Sequence, residues 1–151
     1  MSLNDDIRLF SEVTLFRELD SDQLRLLAFG AERRAVATGQ ELFREGSPAE
    51  AAYVVSRGSF ELYVTARDGK ARSDGIVTRG TLLSELALVT MVERKFTAIA
   101  VEDSEVLRVG RSLFHRLLEE YPQVGQMVEG RIRANIVAMA NAVTGLQGRF
   151  N

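Results

Sequence analysis

The 151-residue sequence contains no cysteine, which excludes disulfides, thiolate metal sites, iron–sulfur clusters and cysteine nucleophiles. Its only histidine is His115. A metal-binding jelly roll of the cupin type needs several histidines or carboxylates on its strands, and a haem sensor needs an axial histidine or cysteine there, so neither is expected. Charge of one sign is missing too. Nineteen Lys and Arg stand against 21 Asp and Glu, a net charge of −2, so no basic field recruits nucleic acid directly. No apolar run approaches membrane-spanning length, so no membrane partner is expected, and no signal-peptide pattern precedes the domain. A cytoplasmic protein is the default expectation. No nucleophile–base pair or metal cluster is visible, so an enzyme is not expected, and neither is any metal or cofactor.

What is present has the texture of one globular domain over residues 1–151, with 46% hydrophobic and 26% charged residues. No repeat, low-complexity tract or linker divides it. Residues 1–30 read as helical. Ile7, Leu9, Phe10 and Val13 form one stripe with Asn4 as a candidate cap, and Leu15-Phe16 reads as a buried anchor. Asp20-Ser21-Asp22 caps a second helix with Leu24, Leu27 and Ala28 inward and Gly30 at its end. From 31 to 110 short apolar runs alternate with glycines, as in a sandwich or barrel. Phe60, Leu62 and Val64 face inward from one strand, Asp68-Gly69 centres a hairpin turn, and 71–75 reads as a polar loop tip. Thr97 to Val101 and Glu105 to Val109 read as a second hairpin. Helical spacing returns over 111–147. Leu113, Phe114, Leu117 and Leu118 share a face that leaves His115 in solvent. Pro122 opens a long amphipathic helix through Val124, Val128, Ile132, Ile136, Met139, Val143 and Leu146, with Gly125 and Gly130 weakening it locally. Arg116, Arg131 and Arg133 read as a solvated helix face or, less simply, an anion patch.

The stretch Gly80-Thr81-Leu82-Leu83-Ser84-Glu85-Leu86-Ala87-Leu88, followed nine residues after Glu85 by Arg94, organises the chain. A glycine breaks a strand and a helical turn opens at Ser84-Glu85. A helix N-terminus offers N–H groups and a positive dipole end to a phosphate, an arginine adds a fork of donors, and a carboxylate accepts from ribose hydroxyls. Residue types alone leave two readings open, a nucleotide-phosphate site and a structural Glu85–Arg94 ion pair. Ser84 likewise reads either as a phosphate contact or as a plain helix cap.

Together these residues resemble the cyclic nucleotide-binding domain family from roughly Val13 to Val143. Gly39-x-x-Leu42-Phe43-x-x-Gly46 and Tyr53-Val54-Val55-x-x-Gly58-x-Phe60 look like its glycine framework. Ser84-Glu85-Leu86-Ala87-Leu88 resembles its phosphate-binding cassette, F-G-E-x-A-L, and Arg94 with Thr97 resembles R-x-A-T. Two departures stand out: Leu83-Ser84 in place of the aromatic and glycine, and Lys95-Phe96 in place of small residues. The resemblance implies an α+β, mainly β fold, an eight-stranded double-stranded β-helix jelly roll with N-terminal helices, a short cassette helix and two C-terminal helices. It implies a cAMP or cGMP sensor in signal transduction. Arg94 then meets the cyclic phosphate with Leu83, Ser84, Leu86, Ala87, Lys95 and Thr97 around it. Glu85 binds the 2′-hydroxyl, and Ile136, Met139 and Ala140 cover the base. An unidentified downstream protein and homodimerisation through the C-terminal helix are the expected partnerships. The chain after that helix is expected to be too short for the winged helix of catabolite-activator transcription factors. The alternative is a degenerate domain serving as a dimerising or interaction module without nucleotide.

Overall fold

The computed structural model describes residues 2–134 of the chain. Helix α1 spans Leu3–Glu12 and is capped by Ser2 rather than Asn4, because Asp5 completes a reciprocal box with it: the Asp5 N–H donates to Ser2 Oγ at 3.2 Å and the Ser2 N–H donates to Asp5 Oδ2 at 3.1 Å. A 3-10 turn, Thr14–Phe16, buries Leu15 and Phe16. Helix α2, Ser21–Gly30, starts from the same kind of box, made by Asp20 and Gln23. Gly30 is its last residue, and what matters there is space: a Cβ would lie 2.4 Å from Leu113 Cδ1.

Ten strands follow: β1 Glu32–Val36, β2 Glu41–Phe43, β3 Pro48–Ala49, β4 Ala51–Arg57, β5 Ser59–Thr65, β6 Ala71–Thr78, β7 Leu82–Leu83, β8 Val92–Glu93, β9 Thr97–Ala100 and β10 Ser104–Gly110. Eight of them make the two faces of the roll, in the orders β1-β10-β4-β7 and β2-β9-β5-β6. The two beyond the expected eight are a small antiparallel pair, β3 with β8, in which Pro48 faces Glu93 and Ala49 faces Val92. Two further expectations are corrected. Residues 71–75 are not a loop tip but the first part of β6, paired with β5; as an edge strand β6 is wet along nearly its whole length, so its polar composition does not distinguish it from a loop. Residues 97–109 are not a hairpin. β9 pairs with β2 and β5, whereas β10 pairs with β1 and β4, so the intervening residues cross from one sheet to the other.

The second half closes with α3, Arg111–Glu120, and a helix α4 that runs from 122 through 134. Pro122 takes its first position as expected, and Gly125 serves packing: a Cβ there would lie 2.0 Å from Leu118 Cδ2. His115 is exposed. The expected apolar continuation through Ile136, Met139, Ala140, Val143 and Leu146 lies outside the described residues. Among the described residues no helix is long and apolar enough to cross a membrane.

Two cores result. Leu9, Phe10, Phe16 and Leu27 pack with Phe114, Leu117, Val128 and Ile132 on the helical side, and Phe43, Tyr53, Val55, Phe60, Leu62 and Leu83 fill the roll. Strand β4 is the shared wall. Its residues Ala51 to Ser56 are all buried, and the two-residue period sends Ala52 and Val54 to the helical core and Tyr53 and Val55 to the roll. Arg33 fastens α1 to this wall. It holds both Asp6 oxygens at 2.7 Å and pairs with Glu105, which also accepts from Ser56 Oγ at 2.8 Å.

The glycine framework has a backbone reason. Gly58 turns β4 into β5 with φ +83°, and a Cβ there would come within 2.1 Å of Ser104 Oγ and 2.8 Å of Ser104 Cα. Gly58→Ala combines left-handed strain with a clash against backbone, and should destabilise the domain by about 3 kcal/mol in chemical denaturation. A loss no larger than that of an exposed loop substitution would show that the corner adjusts freely.

Candidate functional site

Arg94 is the centre of the site, and its backbone is tied down on both sides. The Arg94 N–H donates to Ser47 O at 2.8 Å and the Gly46 N–H donates to Arg94 O at 2.8 Å, next to the β3–β8 pair. Gly46 adopts φ +86° in this loop, a conformation suited to glycine. The side chain therefore starts from a fixed place and points inward, leaving the residue 6% exposed. Its Nη1 donates to Ala51 O at 2.8 Å. Its Cζ lies 4.5 Å from the ring centroid of Phe43 and 5.3 Å from that of Tyr53. Phe96 tilts against Phe43 at 5.5 Å and adds a third ring.

No carboxylate lies within ion-pair distance of Arg94 among the described residues. Burial pulls the guanidinium below its ordinary pKa and Arg108 works the same way, against Tyr53 and Glu50. An arginine keeps its proton regardless. Burying an ion costs on the order of several kcal/mol, whereas a desolvated cation–π contact returns about 2 kcal/mol. Ring faces and one carbonyl are its direct partners among the described residues, which leaves the guanidinium able to take an anion.

The cassette sits between the two cores. Leu83, on β7 opposite Tyr53, is buried in the roll, whereas Leu86 and Leu88 pack on the helical side. Glu85–Leu88 is a 3-10 turn whose own ladder begins with the Ala87 N–H, which donates to Ser84 O at 3.0 Å. Ser84 enters the turn in the left-handed conformation, φ 65° and ψ 45°, and is the one non-glycine residue with positive φ among the described residues. Its side chain makes no capping bond, so the plain-cap reading does not hold.

The predicted residues do not all converge. No salt bridge joins Glu85 to Arg94: Glu85 instead lines a cleft of about 740 Å³ outside the roll, with Val13, Leu15, Leu82 and Arg131. Lys95 is exposed. Thr97 Oγ1 accepts from the Glu45 N–H at 3.0 Å, which helps hold the loop before Arg94's backbone partners. Ala87 is fully buried, and its carbonyl accepts from Arg111 Nε at 2.9 Å. Ile136, Met139 and Ala140 lie outside the described residues. Arg116 and Arg133 are exposed, and Arg131 pairs with Glu18. Nothing in the sequence marks Phe43, Tyr53 or Arg111 strongly as site residues. The first two look like core. Arg111 had one signal, a cation in the first turn of a helix, where the dipole disfavours it.

The model of the family described as "Cyclic nucleotide-binding domain" matches residues 33–121. The structure of a cyclic nucleotide-binding-like protein from Brucella abortus is 43% identical, with a TM-score of 0.69 over 76% of this chain and 98% of that one. The Cyclic AMP receptor protein of Thermus thermophilus is 31% identical over 110 residues, 73% of this chain and 51% of its own. Lysophospholipase NTE1 of Chaetomium globosum is 31% identical over 112 residues, 72% of this chain but 7% of its own length. The chain thus spans about half of one curated relative and a small part of the other.

Ser84 offers a direct test of the cassette's backbone. The left-handed conformation costs a non-glycine residue about 1–2 kcal/mol, of which glycine's extra freedom in the unfolded chain cancels about 0.5–1 kcal/mol. Ser84→Gly should therefore raise stability by roughly 0.5 kcal/mol in urea denaturation. A lower midpoint would mean that the serine side chain contributes a contact outweighing the strain.

Proposed function

The chain belongs to the cyclic nucleotide-binding domain family, which is regulatory rather than catalytic, and from that premise we propose that it is a cytoplasmic sensor that binds a cyclic nucleotide and carries out no catalysis of its own. The observation that carries the reading is Arg94, a buried cation with no carboxylate partner among the described residues. A cyclic phosphate supplies the missing charge, and the guanidinium supplies the fork that matches it. The N–H groups from Ser84 to Leu86 meet the other phosphate oxygens, and Glu85 accepts from the ribose. Glu85 also lines the outer cleft. Binding becomes a signal only where the nucleotide has differential affinity for two states of the cassette. The name of the Thermus relative makes cAMP the first ligand to test, and cGMP the second.

One observation favours the degenerate-module reading: the Phe43 and Tyr53 rings already stand against the guanidinium, with Phe96 tilted against Phe43. Calorimetric titration with cAMP and cGMP separates the two readings. Saturable heat with either nucleotide supports the sensor; none up to about millimolar ligand overturns it. In a folded Arg94→Ala variant, binding should weaken by about 2–5 kcal/mol. Unchanged affinity would remove Arg94 from the site.

Pairing of two copies along the last helix belongs to the same proposal, and rests on the apolar spacing of that helix in the sequence. Light scattering at micromolar concentration should give twice the 16.8 kDa of one chain, and a clean monomer refutes it.

A further inference from the structure

Three consecutive carbonyls at the junction of β3 and β4 accept hydrogen bonds from two arginines. Ala49 O takes Arg111 Nη2 at 2.7 Å, Glu50 O takes the Arg111 N–H at 3.0 Å, and Ala51 O takes Arg94 Nη1 at 2.8 Å. Arg111 has a third bond, from Nε to Ala87 O at 2.9 Å, at the end of the cassette turn. One side chain thus bridges the cassette and the strand junction that also holds the phosphate-site arginine. We infer that Arg111 is a positioning residue of the nucleotide site, setting the resting place of the cassette turn and passing its displacement to α3.

Three physical points carry this. The last carbonyls of a helical turn have no acceptor role within the turn, so Ala87 O is a natural handle. Ala87 is fully buried, and a donor lost from its carbonyl is not readily replaced by water. A guanidinium is the group that reaches two separate carbonyls with fixed geometry. The placement also runs against local preference. Arg111 opens α3, where the dipole favours an acid, no acidic residue lies in that first turn, and the cap, Gly110, has no side chain to offer. Good helix design puts a different residue there, so the cassette contact is the reason this cation fits the position. Because Arg111 is also the first residue of α3, a cassette that moves must either drag α3 or give up the bond. Helix α3 leans through Leu113 on Gly30 of α2, which takes the displacement into the helical side.

The role rests on the sensor reading, and the test has one arm that does not. In unliganded protein, hydrogen exchange at the Ala87, Val89 and Thr90 amides reports the cassette turn, since all three donate within it or to its carbonyls. Arg111→Ala and the milder Arg111→Lys, which reaches one carbonyl at a time, should speed exchange at these amides about tenfold while β5 and β9 amides keep their rates. Equal change across the domain, or none at the cassette, overturns the inference; if Arg111→Ala does not fold, Arg111→Lys decides it alone. The second arm titrates cAMP into wild type and both variants. A shift of about threefold or more, with Lys nearer wild type than Ala, is expected. Failure of wild type to bind refutes the sensor reading and leaves the exchange arm to judge Arg111's hold on the cassette. Normal binding in all three with a loosened cassette refutes the coupling.

Discussion

A positive charge buried with no carboxylate in ion-pair reach among the described residues is the constraint around which this domain is arranged. Arg94 cannot release its proton, and in its place among Phe43 and Tyr53 it has one carbonyl and two ring faces for company. Such an arrangement persists only if the backbone leaves the side chain nowhere better to go. That explains the extra strand pair, β3 with β8, and the bonds from Arg94 to Ser47 and from Gly46 to Arg94. Four residues' worth of ladder adds little to a roll already made of two four-stranded sheets. Its value lies in fixing where one side chain begins.

The second constraint is that two cores share a wall. Because β4 sends alternate residues to opposite sides, neither core can shift along it without disturbing the other. The cassette lies at the end of this wall and is divided in the same way, with Leu83 toward the roll and Leu86 and Leu88 toward the helices. Moving the turn therefore exchanges contacts on both sides at once. On the sensor reading proposed above, the cassette links Arg94's surroundings in the roll to the helical side because it belongs to both compartments.

Much of this was legible in the sequence. Helix stripes, the Asp20 cap and the glycine framework all reflect local backbone needs, which residue types express directly. The misses share a different cause. Which strand pairs with which depends on contacts far apart in sequence, so 97–109 looked like a hairpin when it is a crossing between sheets. An edge strand wet on both faces looks like a loop, as 71–75 did. Phe43 and Tyr53 carry no mark separating a ring that lines a cation from a ring that fills a core. Spacing places Glu85 and Arg94 in one motif, yet Glu85 lines an outer cleft while the Arg94 guanidinium lies within the roll. A motif fixes the order of residues along the chain, whereas their meeting depends on the state of the turn between them.

The unfavourable features flank that same turn. Ser84 holds a left-handed backbone on one side, and Arg94 holds a buried charge with no ion-pair partner among the described residues on the other. Neither is required by the fold: a glycine would ease the first and an apolar residue the second. Both persist because the surrounding structure over-determines them, through the two cores and through Arg111's grip on Ala87 O. An anion arriving at the guanidinium removes one of these costs outright. A turn held under strain lies nearer in free energy to a relaxed alternative, and on the sensor reading proposed above a ligand that favours that alternative has correspondingly less work to do.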